Sequence, residues 1–192
     1  MRIFLTVLVL IISFQSVSKA DDIRDFQIEG MSIGDSLLDH LSLNEINNNK
    51  GYLYKNKKYA TSYKDFYDGP YEVVQFEFKN EDKSFRIKSL TGMIIYENKD
   101  FKECYEKESI IVNELKDLFA TKTIYVDYGM SSHPADKSEK SKGTWHVFEF
   151  KDDSGYIFVE CMDWSDQMDY DDALKVTILS KEMNTYLDNE AY

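Results

Sequence analysis

The spacing of apolar residues changes several times along this chain, and each change marks an element. Residues 3–14 form an almost unbroken apolar run behind Arg2, and Ser18-Lys19-Ala20 then places small side chains where a signal peptidase reads them. The run is about a dozen residues, short of the ~20 that a bilayer-spanning helix needs. The pattern therefore predicts a cleaved export signal over residues 1–20, in preference to a retained anchor, and a folded part that begins at Asp21. Position 21 is Asp and not Cys, so no lipid anchor is expected there.

Beyond the signal, Ser32 with Asp35 three residues later has the spacing of a capping box, which predicts a helix running to about Asn47 with Leu37, Leu38 and Leu41 on one face. A period of two follows. Tyr52-Leu53-Tyr54 and Tyr59 suggest a short strand, and Asp68-Gly69-Pro70 a turn. Residues 71–79 alternate so that Val74, Phe76 and Phe78 face the core, residues 80–83 turn, and 85–96 return as a partner strand with Gly92 as a bend or bulge. Asn98 or Asp100 can cap a helix whose apolar stripe is Phe101, Cys104, Ile111, Leu115 and Leu118. A short strand over 124–128, a long polar loop over 130–143, and strands over 145–151, 156–162 and 174–179 complete the pattern, with Ser180 capping a last helix that carries Met183, Tyr186 and Leu187. Asp152-Asp153-Ser154-Gly155 makes the first two of those three strands a hairpin. Residues 74–79 with 85–87 resemble 146–151 with 156–158, which raises a duplicated hairpin-plus-helix unit as a possibility. Consecutive hairpins and intervening helices predict an α+β fold: an antiparallel sheet with helices packed on one face, in a single domain over 21–192.

Composition narrows the function classes. With 43% hydrophobic and 15% aromatic residues the chain has the makings of a packed core. Loss of the signal removes Arg2 and Lys19 and takes the net charge from −12 to −14, a surface that repels phosphate backbones and argues against nucleic-acid binding. The clusters Lys55, Lys57, Lys58 and Lys137, Lys140, Lys142 are interleaved with polar or acidic residues and read as solvated turns. Two cysteines, Cys104 and Cys161, predict one disulfide in an oxidising compartment.

Three motifs carry candidate chemistry. Gly34-Asp35-Ser36-Leu37 spells the signature of the GDSL esterases, with Ser36 in the nucleophile's place. None of His40, His133 and His146 has an Asp three residues before it, so Ser36 lacks the Asp-x-x-His base of that family and reads as part of a helix start. Asp163, Asp166, Asp169, Asp171 and Asp172 offer oxygen ligands that suit calcium, but without the alternate spacing and central Gly of an EF-hand loop they read first as an acidic turn, and no metal or other cofactor is expected. His133, in the long polar loop, is the histidine best placed for recognition.

The export signal, Ala20-Asp21-Asp22-Ile23, the stretch Ile28-Glu29-Gly30-Met31-Ser32-Ile33-Gly34-Asp35-Ser36-Leu37-Leu38-Asp39, Cys104, and Cys161-Met162-Asp163-Trp164-Ser165 together resemble an uncharacterised family of small exported bacterial proteins. The resemblance implies a Gram-negative periplasmic address and one domain, and carries over no catalytic residue. Gly30-Met31-Ser32 is also similar to the opening of small outer-membrane-assembly lipoproteins, whose lipidated Cys is absent here. The expectation is a monomeric or weakly associating periplasmic protein with a non-catalytic binding or envelope-support role, its partner an envelope protein or a small ligand; the alternatives are an ester hydrolase using Ser36 and a calcium-stabilised structural protein.

Overall fold

A computed structural model describes residues 22–96, 101–133 and 136–191. The expected signal, the proposed caps Asn98 and Asp100, and Pro134 lie outside them.

The alternating segments become seven strands: β1 (Tyr59–Asp65), β2 (Val73–Lys79), β3 (Ile87–Ile95), β4 (Thr123–Ser132), β5 (Lys142–Phe150), β6 (Gly155–Asp163) and β7 (Ala173–Ser180). They form one antiparallel sheet in the order β1-β2-β3-β7-β6-β5-β4, so that two three-stranded meanders flank β7. Among the described residues, three α-helices accompany it: α1 (Leu43–Asn48), α2 (Lys102–Phe119), which joins the two meanders, and α3 (Lys181–Asn189). No helix among the described residues is long and apolar enough to cross a membrane.

The pairing register aligns Ser62, Phe76, Leu90, Ile178, Ile157, Phe148 and Tyr125 as one row across all seven strands. Because side chains alternate along a strand, this row and its even-spaced neighbours define the inner face. It is covered by α2, through Cys104, Val112, Leu115 and Phe119, and by the N-terminal segment, through Ile28, Met31, Leu37, Leu41 and Ile46 of α1. The Cys104–Cys161 disulfide ties α2 to β6, and both cysteines are fully buried.

The outer face carries α3. Ser180 caps it, accepting from the Met183 amide at 3.2 Å, and Met183 and Tyr186 pack on Leu179, Tyr54 and Tyr59. The antiparallel sheet and its helices are as the sequence predicts, but they occupy two faces: α1 and α2 lie on one, α3 on the other. The reason is local. Helix α3 begins one residue after β7 ends, and its apolar residues meet Leu179, which points away from α2.

Four local expectations are corrected. No helix starts at Ser32: its hydroxyl donates to the carbonyls of Arg24 and Phe26 at 2.7 and 2.9 Å, while only the Asp35 half of the box forms, accepting from the Ser32 amide at 2.8 Å. Gly34 then takes φ +92° and the chain bonds to Ile87 of β3, so only a 3-10 turn forms over Leu37–Asp39 and α-helix begins after Ser42, which makes a capping box with Glu45. Tyr52-Leu53-Tyr54 forms no strand, and Tyr54 packs beneath α3. Gly92 is regular strand; a Cβ there would meet the Tyr71 ring at 2.6 Å, so glycine is needed for the ring to lie across β3, and the register shift falls instead opposite Glu77 and Phe78, where Lys88 is the extra residue. The loop expected over 130–143 is shorter at both ends, because β4 and β5 pair out to Ser132 and Lys142.

The two similar stretches become the hairpins β2–β3 and β5–β6 on opposite sides of β7. Strands β3 and β6 are both antiparallel to β7, and Phe76 and Phe148 share the inner face, so one hairpin is the mirror arrangement of the other. No rotation converts a unit into its mirror image. The likeness is therefore alternation built from few residue types, and not a copied unit.

Candidate functional site

Helix α3 covers only part of the outer face. On β5 and β6 the outward residues Trp145, Val147, Tyr156 and Phe158 remain half-buried, and they floor an open groove of about 540 Å³. Asn184 of α3 forms one wall. The other is built by the end of β4, where a register shift between Asp127 and Gly129 inserts Tyr128 as an extra, 65% exposed residue. Gly129 sits at φ +62° with its amide donating to Asp127 Oδ1 at 2.7 Å, and a bulge of this kind bends its strand. Tyr128, Ser131, Ser132 and His133 line that side.

His133 is held there by a buried carboxylate. Asp136 accepts from the amides of Ser138 and Ser141 at 2.8 and 2.9 Å, and from the hydroxyls of Ser141 and Ser165 at 2.6 and 2.8 Å. Those bonds, the Ser141 hydroxyl foremost, hold its carboxyl well below the usual carboxylate range. The Ser165 bond pins the β4–β5 loop to the chain after β6, and the His133 amide donates to the Ser141 carbonyl at 3.1 Å. The imidazole consequently lies 4.5 Å from the Trp164 ring and 6.3 Å from Trp145. Burial lowers its pKa, so the ring is neutral at pH 7.

Beyond Trp164 a second hollow of about 370 Å³ is walled by Trp164 and Tyr170, whose rings meet edge to face at 4.9 Å, and by Asp166, Asp169, Asp171 and Asp172. Asp172 accepts from the Trp164 amide at 2.6 Å; burial, and after it the crowding by Asp163, Asp171 and Asp166, raises its pKa. The expected acidic turn is thus a hollow adjoining the groove. Among the described residues, no group of three or more His, Cys, Asp or Glu side chains is arranged to hold a metal ion.

Ser36 lies far from this region in the fold. It caps the 3-10 turn Leu37–Asp39, accepting from the Leu38 amide at 3.2 Å while its hydroxyl donates to the Ser84 carbonyl at 2.7 Å. No hydrogen bond among the described residues joins it to a histidine, and His40 faces Asp35 at 3.9 Å. A hydroxyl proton already given to a backbone carbonyl is not poised for a base.

The inner face holds a polar cluster that sequence reasoning missed. Glu108 of α2, 4% exposed, accepts from Thr144 Oγ1 at 2.6 Å and from the Cys161 amide at 3.1 Å, and faces His146 Nε2 at 3.6 Å. His146 Nδ1 is 2.8 Å from the Tyr125 hydroxyl, and Lys116 Nζ lies 3.9 Å from the Tyr125 ring centre. Burial raises the Glu108 pKa above the usual carboxylate value. The bonds fasten α2 to β5 and β6 beside the disulfide. A signal was present in the chain: Glu108 falls four residues after Cys104 and four before Val112, on the buried stripe.

Comparison of the chain with family models, curated proteins and solved structures gave no match.

Proposed function

We propose that this is an exported, periplasmic binding protein without catalytic activity, and that the groove between α3 and the end of β4 is its binding surface. The observation that carries this reading is the half-exposed apolar floor of Trp145, Val147, Tyr156 and Phe158 beside α3. Aromatic side chains held half-open on a rigid sheet are the kind of surface that ligands bury. The disulfide and the apolar N-terminal run support export, as does the resemblance to small exported bacterial proteins.

Binding is tested with the neutral fluorophore N-phenyl-1-naphthylamine. Saturable one-to-one binding is expected, weakened at least tenfold, about 1.4 kcal/mol, by Trp145→Ala and abolished by Asn184→Trp, which fills the groove from α3. Binding that neither substitution changes, in variants with parental circular dichroism, would place the surface elsewhere. Export is tested separately by N-terminal sequencing of protein released from the periplasm, with Asp21 expected as the first residue.

A further inference from the structure

We propose that the natural occupant of the groove is an extended basic segment of a partner polypeptide, with its apolar side chains on Trp145 and Phe158 and its lysines or arginines in the hollow beyond Trp164. The proposal rests on the groove being the binding surface, and goes further by assigning the chemistry of what binds.

Charge decides the class. Two carboxylates beside the groove already have cations, Glu160 facing Lys175 at 3.4 Å and Asp153 pairing with Lys181 at 2.6 Å, while Glu149 accepts from the Tyr156 hydroxyl at 3.3 Å. Asp163, Asp166, Asp169, Asp171 and Asp172 belong to no ion pair among the described residues. An unneutralised group of carboxylates therefore adjoins the apolar floor, separated from it only by the His133–Trp164 contact, on a chain of net charge −12. The same end of the groove supplies ring faces for a cation. Trp164 and Tyr170 stand at 62° to one another, and Lys175 Nζ already lies 5.8 Å from the Trp164 ring centre, with its charge balanced by Glu160.

An apolar trough that runs into an acidic, aromatic hollow calls for a ligand carrying apolar groups and cations in succession. A polypeptide does so along one strand. The trough is open and runs over the outer face of β5 and β6 between α3 and the end of β4, so an extended chain can lie along it. A second copy of this chain would bring its own negative charge to the acidic end, which disfavours it.

The test uses the full oxidised chain and three fluorescently labelled peptides that differ only in charge: one with alternating Leu/Phe and Lys, the same peptide with Gln for Lys, and the same with Glu for Lys. At 50 mM salt the Lys peptide is expected to bind at least tenfold more tightly than the Gln peptide and the Glu peptide not at all. Raising salt to 500 mM should erase most of that advantage. The variant Asp166→Asn, Asp169→Asn, Asp171→Asn, which spares the Asp172 bond to the Trp164 amide, should lose the advantage while still binding N-phenyl-1-naphthylamine. Equal binding of the Lys and Gln peptides, or a triple variant that keeps the preference, overturns the cationic assignment and leaves the groove itself standing. Failure of every peptide and of the fluorophore overturns the groove reading as well. Concentration-dependent dimerisation, seen in sedimentation and abolished by Trp145→Ala, would make a second copy the occupant and reject the proposal.

Discussion

Reduction of the Cys104–Cys161 disulfide should lower the stability of the chain by about 4 kcal/mol, and almost wholly through the unfolded state. The bridge joins residues 57 apart in sequence, and the entropy of closing a loop of that length at 25 °C amounts to about 4 kcal/mol. The native state loses little. Two thiols fill nearly the space of the bridge, and α2 stays docked on β6 through the Glu108 bonds to the Cys161 amide and to Thr144. For a chain of this size each kcal/mol moves the melting point by roughly 2–4 °C, so the reduced protein should melt about 8–16 °C lower. Guanidinium unfolding of oxidised and reduced protein, followed by circular dichroism, measures the difference. The reduced form should also show the steeper transition, because its unfolded chain is free to expand further. Both sulfurs are buried, so reductant should act only as fast as the structure opens. A difference below 1 kcal/mol would refute the entropic reasoning. So would a reduced protein that has already lost helical signal in buffer, since the bridge would then be holding α2 in place.

Phe76, fully buried in the row that crosses all seven strands, should cost roughly 3–5 kcal/mol as Phe76→Ala, measured by the same unfolding experiment. Glu77 is buried on the outer face, where burial raises its pKa although the Tyr54 hydroxyl donates to it at 3.1 Å. Folding therefore takes up a proton there, and stability falls as pH rises from the ordinary carboxylate value through the raised one. Glu77→Gln should melt higher than the parent at pH 8, by a margin that shrinks toward pH 4. Glu182 behaves oppositely: burial pushes its pKa up, but the ammonium groups of Lys79 and Lys88 outweigh that and hold it at about 2, against an ordinary 4.5. Its pairs stabilise above pH 4.5 and are lost as pH falls toward 2. Because the groups are partly exposed, Glu182→Gln should cost about 0.5–1 kcal/mol at pH 7 and nothing at pH 2, in melts compared across that range.

What the chain alone determined were features that depend on neighbours in sequence. The period of two over 71–79, 145–151 and 156–162 sets strand and inward face together, since alternate side chains must point to opposite sides whatever the partner. Ser180 caps α3 because a hydroxyl three residues before a free amide suffices. The cysteine pair could be read because the chain has only two.

The features that depend on distant residues were left to the tertiary structure. Ser32 has the spacing of a cap, yet carbonyls of Arg24 and Phe26 take its hydroxyl, and Ile87 of a strand more than fifty residues away takes the backbone that would have coiled. The mirror relation of the two meanders exists only once β7 has been inserted between β3 and β6. The groove is likewise a product of assembly: Trp145 and Phe158 stay half-exposed because α3 lies against β3, β7 and β6 and extends no further across the sheet. His133 was legible as a residue in a polar loop, but its place beside Trp164 is set by Asp136 gathering Ser141 from its own loop and Ser165 from beyond the next two strands. Local spacing governs which way a side chain points from its own strand, while the surface it joins is decided by which strands and helices come to lie beside it.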